Sequence, residues 1–250
     1  MDSSEMFWQA SLEDLKRGYF EAEHHYICLL CGKYFEKGIV YPEDGVIYES
    51  SRYMRIHIET THGSVFEYLL HLDKKLTGLT DHQKKLLTLF YQGKSDKEVQ
   101  SAMGTGSTST IRNQRFVLKE KERQARLFLA MMELLKSKDQ HAPGFLTIHL
   151  TARMIDDRYN VTDQENAQIL QRYFPNGIEG VLKSFSRKEK HRLVILRALT
   201  SRFEKERYYS EKEVNRILHA VYDDYVTLRR YLIEYGFLDR KTDGSQYWRR

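Results

Sequence analysis

Four residues in the first quarter of the chain are suited to hold a metal ion. Cys28 and Cys31, the two cysteines of the sequence, are separated by two residues. His57 and His62 are separated by four residues, which places them about one turn apart on a predicted helix. Zinc favours a tetrahedral shell of thiolate and imidazole ligands, and a shell filled by protein leaves no position for a substrate. The spacing therefore predicts a structural Zn²⁺ site formed by these four side chains.

Two elements must bring these ligands together. The sequence predicts a hairpin with the cysteines in its first arm, a turn at residues 42–45 and a return strand at 46–48. A helix follows, capped by Ser50 or Ser51, and it carries both histidines near its end. This order resembles the Cys-Cys-His-His zinc fingers at all four ligand positions. The sequence has 25 residues between the second cysteine and the first histidine, where the family has about a dozen. The resemblance implies metal binding by this module.

Other interpretations of these residues stay open. His24 or His25, just before the cysteines, could replace a helix histidine as a ligand. Without a metal, the cysteines would be a reduced, buried pair and the histidines would lie on the surface. A thioredoxin-like redox motif fits less well, because residues 32–35 have the pattern of a strand or turn where that motif needs a helix.

Charge is distributed unevenly along the chain. Residues 1–73 carry 6 basic and 13 acidic side chains, whereas residues 74–140 carry 14 basic and 7 acidic ones. Residues 141–184 carry 4 and 5, and residues 185–250 carry 16 and 10. Basic blocks occur as solvated surfaces, and they are also typical of proteins that bind polyanions, because each Lys or Arg that meets a phosphate releases counterions. The acidic N-terminal part is better suited to binding a protein partner.

The central part of the chain has the pattern of three helices joined by short turns. Thr80 with Gln83, and Ser95 with Glu98, are capping-box pairs, and a third, long helix is predicted over about 108–137. The N-terminal end of such a helix fits the major groove of DNA, where phosphates meet its free amide groups. Its first two turns carry polar and basic side chains suited to DNA contact: Thr108, Ser109, Arg112, Asn113 and Arg115.

This part resembles the LuxR-type helix-turn-helix family over about 40 residues. The likeness is carried by helix starts and inward faces: Leu79-Thr80, Leu86-Leu87, Gly93-Lys94-Ser95-Asp96-Lys97-Glu98-Val99, Met103 and Thr110-Ile111-Arg112-Asn113. The resemblance implies that Lys97 contacts the DNA backbone, while Arg112 and Asn113 lie where the family meets phosphates and base edges.

The end of the predicted third helix is strongly apolar. Two apolar rows recur there at helical spacing: Leu127, Met131 and Leu134, beside Phe128, Met132 and Leu135. Side chains this apolar must be covered. Packing against neighbouring helices of the chain would cover them, and so would the seam of a homodimer.

The last part of the chain has the pattern of three helices followed by a hairpin, which is the winged-helix plan. A helix over 188–203, a second one capped by Ser210 with Glu213, a third that ends at Gly236 and a tight hairpin over 237–248 are predicted in that order. Several side chains here could line a phosphate track, or the fold could serve protein contacts: Thr227, Arg229, Arg230, Arg240, Lys241, Arg249 and Arg250.

Residues 150–250 are similar to an uncharacterised domain found at the C-terminus of predicted bacterial transcription regulators. The likeness is carried by four runs of sequence: 209–215, 224–230, 236–240 and 243–245. The resemblance implies a regulator and supplies no established mechanism.

The sequence lacks the motifs of common enzyme classes, such as a phosphate-binding glycine loop, a Gly-x-Ser-x-Gly elbow or His-Glu-x-x-His. We therefore expect no enzymatic activity. A zinc-dependent nuclease is a remote alternative, because it would need an open coordination position. No apolar run approaches the roughly 20 residues of a membrane helix, and the acidic start is unlike a secretory signal. We expect a cytoplasmic protein without a membrane partner.

Together these patterns predict a mainly α protein with a minor α+β part. The predicted segments are an N-terminal helix with a zinc-finger-like hairpin-helix module (1–73), a LuxR-type helix-turn-helix (74–138), a helical connector (139–184) and a winged-helix-like domain (185–250). The expected function is that of a bacterial, sequence-specific transcription regulator that binds double-stranded DNA, with a homodimer and a protein partner of the N-terminal module as further expected partners. The alternative is a protein-interaction adaptor whose zinc module and winged domain bind proteins.

Overall fold

The computed structural model describes residues 3–104 and 106–250, which form two compact units. The first unit combines the chain up to Thr77 with Gly144–Arg250, and the second unit is Gly78–Pro143. Both are mainly helical, and the first also contains three small antiparallel sheets. The expected α-dominant fold with a minor strand content is confirmed.

The N-terminal part of the first unit alternates short helices and strands. Its elements are α1 (Ser3–Gln9), α2 (Leu12–Arg17), β1 (Tyr19–Glu21), β2 (His25–Cys28), β3 (Tyr34–Glu36), β4 (Val40–Glu43), β5 (Val46–Glu49), α3 (Ser50–His62), α4 (Val65–His71) and α5 (Lys74–Thr77). The predicted helix is present and begins at Ser50, but the predicted cap by Ser50 or Ser51 is wrong, because the capping position is Glu49, whose side chain makes no cap hydrogen bond.

The predicted turn and return strand are confirmed, but the partner of that strand differs from the prediction. Strand β5 pairs with β4 across Asp44 and Gly45, whereas the strand that carries Cys28 is paired on both sides, with β1 and β3. Asp44 and Gly45 both have positive φ angles, as a two-residue hairpin turn requires. The two-residue turn therefore joins the two strands next to it, β4 and β5. The strand that carries Cys28 belongs to a separate sheet.

The core of this N-terminal part includes a residue that is distant in the sequence. Phe7, Cys28, Phe35, Met54 and their neighbours form a buried cluster, and Leu150 packs into it. The indole Nε1 of Trp8 donates a 2.7 Å hydrogen bond to the carbonyl oxygen of residue 148. Residues 148–150 of the predicted connector thus pack as part of the first unit.

The second unit consists of three helices around a small core. They are α6 (Asp81–Tyr91), α7 (Asp96–Met103) and α8 (Thr108–Lys136). Both predicted capping boxes are present at the starts of α6 and α7, and the predicted length of the third helix is confirmed. Each helix fully buries one side chain in this core: Leu86, Val99 and Ile111. Among the helices that the structure describes, α8 included, we find none with the length and apolar character that crossing a membrane requires.

The C-terminal part of the first unit contains the largest core. After a 3-10 helix (Asp157–Tyr159), its elements are α9 (Asp163–Tyr173), α10 (Glu189–Thr200), β6 (Tyr208–Tyr209), α11 (Glu211–His219), α12 (Tyr225–Glu234), β7 (Leu238–Arg240) and β8 (Tyr247–Arg249). The three strands form one antiparallel sheet in the order β6-β8-β7. Ser210 forms the predicted capping box of α11, Thr162 forms a further capping box at the start of α9, and Asp224 caps α12.

A glycine holds the connector against the end of α12. Gly236 has φ +83°, and a Cβ atom at this position would collide with the backbone carbonyl of Thr151. The Thr151 hydroxyl also donates a 2.8 Å hydrogen bond to the Gly236 carbonyl oxygen. The two chain segments can approach this closely only because position 236 has no side chain.

We expect Gly236→Ala to lower the free energy of unfolding by about 3 kcal/mol or more, because backbone strain is added to a collision that a flexible side chain cannot relieve. Gly38→Ala is the matched control, since Gly38 has φ +81° with open space around it, and its cost should be about 1 kcal/mol. Urea denaturation of both variants checks the difference. Equal losses of stability would contradict the close approach at Thr151.

Candidate metal centre and nucleic-acid interface

The four predicted metal ligands converge on one point. Strand β2 and the turn that follows it carry the cysteines, and the second half of α3 carries the histidines. The Sγ atom of Cys31 lies 3.3 Å from Nε2 of His57, and Sγ of Cys28 lies 3.7 Å from Nε2 of His62. All four ligand atoms lie within 4.8 Å of one another. The group is therefore close enough to bind a metal ion.

The donor set and the spacing both fit zinc. In a tetrahedral site with the usual Zn–S and Zn–N bond lengths, sulfur and nitrogen ligands are about 3.6 Å apart, which is close to the two sulfur–nitrogen distances here. Two thiolates and two imidazoles fill four positions. Within the described residues the group contains neither His24 nor His25, so the helix histidines are the ones that the fold brings to the cysteines.

Neighbouring side chains orient the histidines. The hydroxyl of Thr61 lies 3.1 Å from Nδ1 of His57, one helical turn away, so that Nε2 of this ring faces the cysteines. The rings of Phe35 and Tyr68 pack edge-on against His57 and His62, respectively. Thr61 is not among the predicted site residues, although its position four residues after His57 on the same helix is a usable signal.

Electrostatics at the centre favour a cation. Hydrogen bonding with Cys31, together with burial, raises the pKa of the Cys28 thiol, whereas the hydrogen bond from Cys28 holds the pKa of the Cys31 thiol well below its usual range. One sulfur of the pair is therefore readily ionised, and a divalent cation would stabilise the second thiolate. Burial, with the negative sulfurs nearby, raises the pKa of Tyr68 to about 12. Its hydroxyl stays protonated and donates a 2.9 Å hydrogen bond to the Leu30 carbonyl oxygen.

The first turns of α8 present an open polar surface. Ser109, Arg112 and Asn113 are exposed, and Thr108 is half-buried. The side chain of Ser107 caps the helix through the amide of residue 110, and the first turn contains no acidic residue. A helix N-terminus without acidic residues, next to an exposed arginine, is a surface that an anion can approach.

One predicted DNA contact, Arg115, has an internal role in the second unit. Its Nε donates a 2.8 Å hydrogen bond to the Asp96 carboxylate at the start of α7, and its guanidinium lies 3.6 Å from the centre of the Phe90 ring. These contacts tie α8 to α6 and α7. Lys97, on α7, is exposed.

The predicted DNA-contacting residues of the C-terminal part also differ in their exposure. Arg229 donates a 2.6 Å hydrogen bond to the Glu211 carboxylate, so that it joins α12 to α11, and its side chain is only 16% exposed. Arg230, Arg240 and Lys241 are exposed, and Thr227 is half-buried. The amide of Thr227 is held by the Asp224 cap, which fixes the start of α12.

Comparison with known proteins gives one match, to the C-terminal part of the chain. No curated protein and no solved structure matches this chain. The predicted likeness to an uncharacterised bacterial domain is confirmed for residues 181–249, whereas the LuxR-type likeness of the second unit stays a prediction. From the residues just before α10 to the end of β8, residues 181–249, this chain matches the family described as "Uncharacterized protein conserved in bacteria (DUF2087)".

Proposed function

We propose that this protein is a sequence-specific DNA-binding transcription regulator with a structural zinc site. The observation that carries the proposal is the open, positive N-terminal end of α8. Arg112 and Asn113 are exposed there, and the surrounding residues 74–140 carry twice as many basic as acidic side chains. A helix end of this kind can enter a major groove while its free amides meet phosphates.

The arrangement of α7 and α8 supports a helix-turn-helix. Helix α7 ends at Gly104, which has a left-handed conformation, and α8 begins four residues later under its Ser107 cap. The Arg115–Asp96 ion pair fixes α8 against α7. The contacts expected to read DNA are those that stay exposed, namely Ser109, Arg112 and Asn113, with Lys97 on the backbone, while Arg115 positions the helix.

The element order of residues 185–250 supports a winged helix. Helix α10, strand β6, helices α11 and α12, and the hairpin of β7 and β8 follow one another, and β8 lies between the other two strands. This is the order of a winged-helix domain, in which α12 would be the reading helix and residues 241–246 the wing. Arg230, Arg240 and Lys241 are its remaining candidates for phosphate contact.

A protein-interaction adaptor is the second candidate for this C-terminal part. The Arg229–Glu211 ion pair favours it, because the pair removes one cation from the surface of α12. The first unit joins residues up to 77 with 144–250, so the full chain has to be tested. Combined Arg230→Glu and Arg240→Glu substitutions should weaken DNA binding if this part reads DNA, and should leave it unchanged if it binds a protein.

The zinc centre is proposed to be structural. Its four ligands leave no coordination position for water or substrate, and the surrounding residues 1–73 are acidic, with 13 acidic and 6 basic side chains. This net negative charge is unfavourable for binding phosphates. The module is better suited to stabilising the first unit and to docking a protein partner.

A homodimer is part of the proposal. The apolar end of α8, here called the α8 stripe, consists of seven large side chains that are each 37–71% exposed: Leu127, Phe128, Leu129, Met131, Met132, Leu134 and Leu135. Their exposed area is on the order of 700 Å², which is close to the roughly 800 Å² per partner that a stable interface buries. A second copy of the chain offers the same apolar surface, and two-fold pairing would cover both stripes at once.

Charge reversal at the N-terminal end of α8 tests the proposal. We expect Arg112→Glu to weaken binding to a DNA duplex, selected by the wild-type protein from a random pool, by about 10- to 100-fold, because a base or phosphate contact is replaced by repulsion. Fluorescence anisotropy at fixed salt measures the affinity. The control is Lys16→Glu, which makes the same charge change at a side chain that is 62% exposed in the acidic N-terminal part.

The control should bind DNA as the wild type does. Failure of the random pool to yield any preferred sequence, or equal affinities of the Arg112→Glu and Lys16→Glu variants, would contradict the proposed function.

A further inference from the structure

The first unit contains a cavity between its metal centre and its C-terminal part. The cavity has a volume of about 710 Å³, which is within the range of small-molecule sites. Cys31, His57 and Tyr68 form one wall, and segments 149–151 and 197–201 contribute to the other. The space therefore lies within one compact unit, where two distant parts of the chain meet.

The cavity is lined by more cationic than anionic side chains. Its lining includes five cationic side chains and one carboxylate, that of Glu206. The five cations are Lys33, Arg197, Lys205, Arg249 and Arg250. A zinc ion held by two thiolates and two neutral imidazoles adds no net charge, so the metal centre would not offset the field. Clefts lined by charges of one sign attract ions of the opposite sign.

Arg197 is the most informative of these cations. It is half-buried on α10 and donates a hydrogen bond to the carbonyl oxygen of Thr147. Among the residues that the structure describes, no carboxylate forms an ion pair with it, whereas Arg250, at the same cavity, pairs with Asp239 at 3.4 Å. A guanidinium removed from water usually has an anionic partner. An anion bound in the cavity would supply the carboxylate or phosphate partner that Arg197 lacks among the described residues.

The remaining lining suits an organic anion. Trp248, Tyr208 and Phe237 supply aromatic surface, and the hydroxyl groups of Thr61 and Thr151 supply hydrogen-bonding atoms. Ligand sites typically combine apolar walls with a few polar groups that fix orientation. An inorganic ion alone would leave most of this volume and the aromatic surface unused.

We propose that this cavity binds a small organic anion that carries a phosphate or carboxylate group, with Arg197 as its main charged contact. Such a ligand would contact both the N-terminal part of the first unit, here called the metal module, and the C-terminal part. It would therefore stabilise the packing of these two parts against each other. Its action as an effector of transcription rests on the proposed function, but the binding itself does not.

Calorimetry with the zinc-loaded full chain tests the binding without DNA. The probes are adenosine 5′-monophosphate and succinate, each compared with an uncharged counterpart, adenosine or succinamide, at constant ionic strength. We expect saturable binding of at least one anion, with a Kd in the millimolar range or tighter, and no binding of its counterpart. The arm that responds distinguishes a phosphate from a carboxylate ligand.

Three variants test whether the anion binds in this cavity. We expect Arg197→Gln to raise the Kd by about tenfold or more, because a charge-assisted hydrogen bond is lost. Lys33→Gln combined with Lys205→Gln should do the same, and these two exposed side chains can be changed without affecting the core. Lys183→Gln, at an exposed lysine outside the cavity, is the matched control and should bind as the wild type does.

Several results would overturn the proposal. They are the absence of binding by both anions at millimolar concentration, equal binding of an uncharged counterpart, and a Kd in the double-lysine variant that equals that of Lys183→Gln. Because no DNA is present, failure of anion binding leaves the proposed function standing, and failure of DNA binding leaves this result unaffected.

Discussion

Replacing Cys28 by serine is expected to remove zinc from the protein and to unfold the N-terminal part of the first unit. Binding of a structural zinc ion contributes an apparent 10–16 kcal/mol, or about the whole stability of a typical domain, ~5–15 kcal/mol. Cys28 is fully buried, at 0% exposure, and belongs to the same core cluster as Phe35, Met54 and Leu150. Loss of the metal would therefore remove the support of that core.

Loss of the metal should destabilise the first unit beyond its N-terminal part and leave the second unit folded. Leu150 and the Trp8 hydrogen bond connect the metal module to residues 144–250, whereas the core of Leu86, Val99 and Ile111 is built within the second unit alone. Hydrogen exchange should show faster exchange in the metal module and around residues 144–162. The helices of the second unit should keep their protection.

Metal analysis and circular dichroism measure the two effects of Cys28→Ser. The matched control is His24→Ser, a change at an exposed histidine in the same segment, outside the group of four ligands. This variant should retain one zinc ion per chain and the wild-type melting temperature. An unchanged zinc content in Cys28→Ser would show that the ligand set is wrong.

Placing a charge in the α8 stripe is expected to convert a dimer into a monomer. Leu134 is 71% exposed, so Leu134→Glu leaves the core of the monomer intact, and glutamate is a good helix former. In a two-fold seam the new carboxylate would be buried against apolar side chains, and it would lie near its own copy from the partner. We expect the dimer dissociation constant to rise by about 100-fold or more, which corresponds to roughly 3 kcal/mol.

The same variant should lose DNA affinity, although the residues at the start of α8 that are proposed to contact DNA are unchanged. A dimer that engages two half-sites gains about 10²- to 10⁴-fold over a single binding event, because the second contact becomes intramolecular. Light scattering after size exclusion measures the oligomeric state, and anisotropy measures the affinity. Gln124→Glu, an exposed position on the polar stretch of the same helix, is the control and should stay dimeric.

A wild-type protein that is monomeric at micromolar concentration would contradict the dimer, and so would a Leu134→Glu variant with unchanged mass. The Arg112→Glu variant should remain dimeric while losing DNA affinity. A change at the start of α8 is thus expected to leave the dimer intact, whereas loss of the dimer is expected to lower DNA affinity as well.

Local features were determined by the sequence itself. The capping boxes that begin with Thr80, Ser95, Thr162 and Ser210 are all present, because a capping box depends only on residues three apart and on their own backbone. The metal ligands were predictable for a related reason: a pair two residues apart and a pair on one helix are each placed by local geometry, and zinc chemistry limits which residue types can complete the site.

Only the tertiary structure decided the long-range contacts. It joined residues up to 77 with 144–250 in one unit, and it gave β5 a different partner from the cysteine strand. It also turned Arg115 and Arg229 toward Asp96 and Glu211. These outcomes depend on residues that are distant along the chain or on other helices, and no periodicity or spacing encodes them. The exposure of the α8 stripe and the positive cavity around Arg197 are decided in the same way, because each depends on which surfaces the rest of the chain covers.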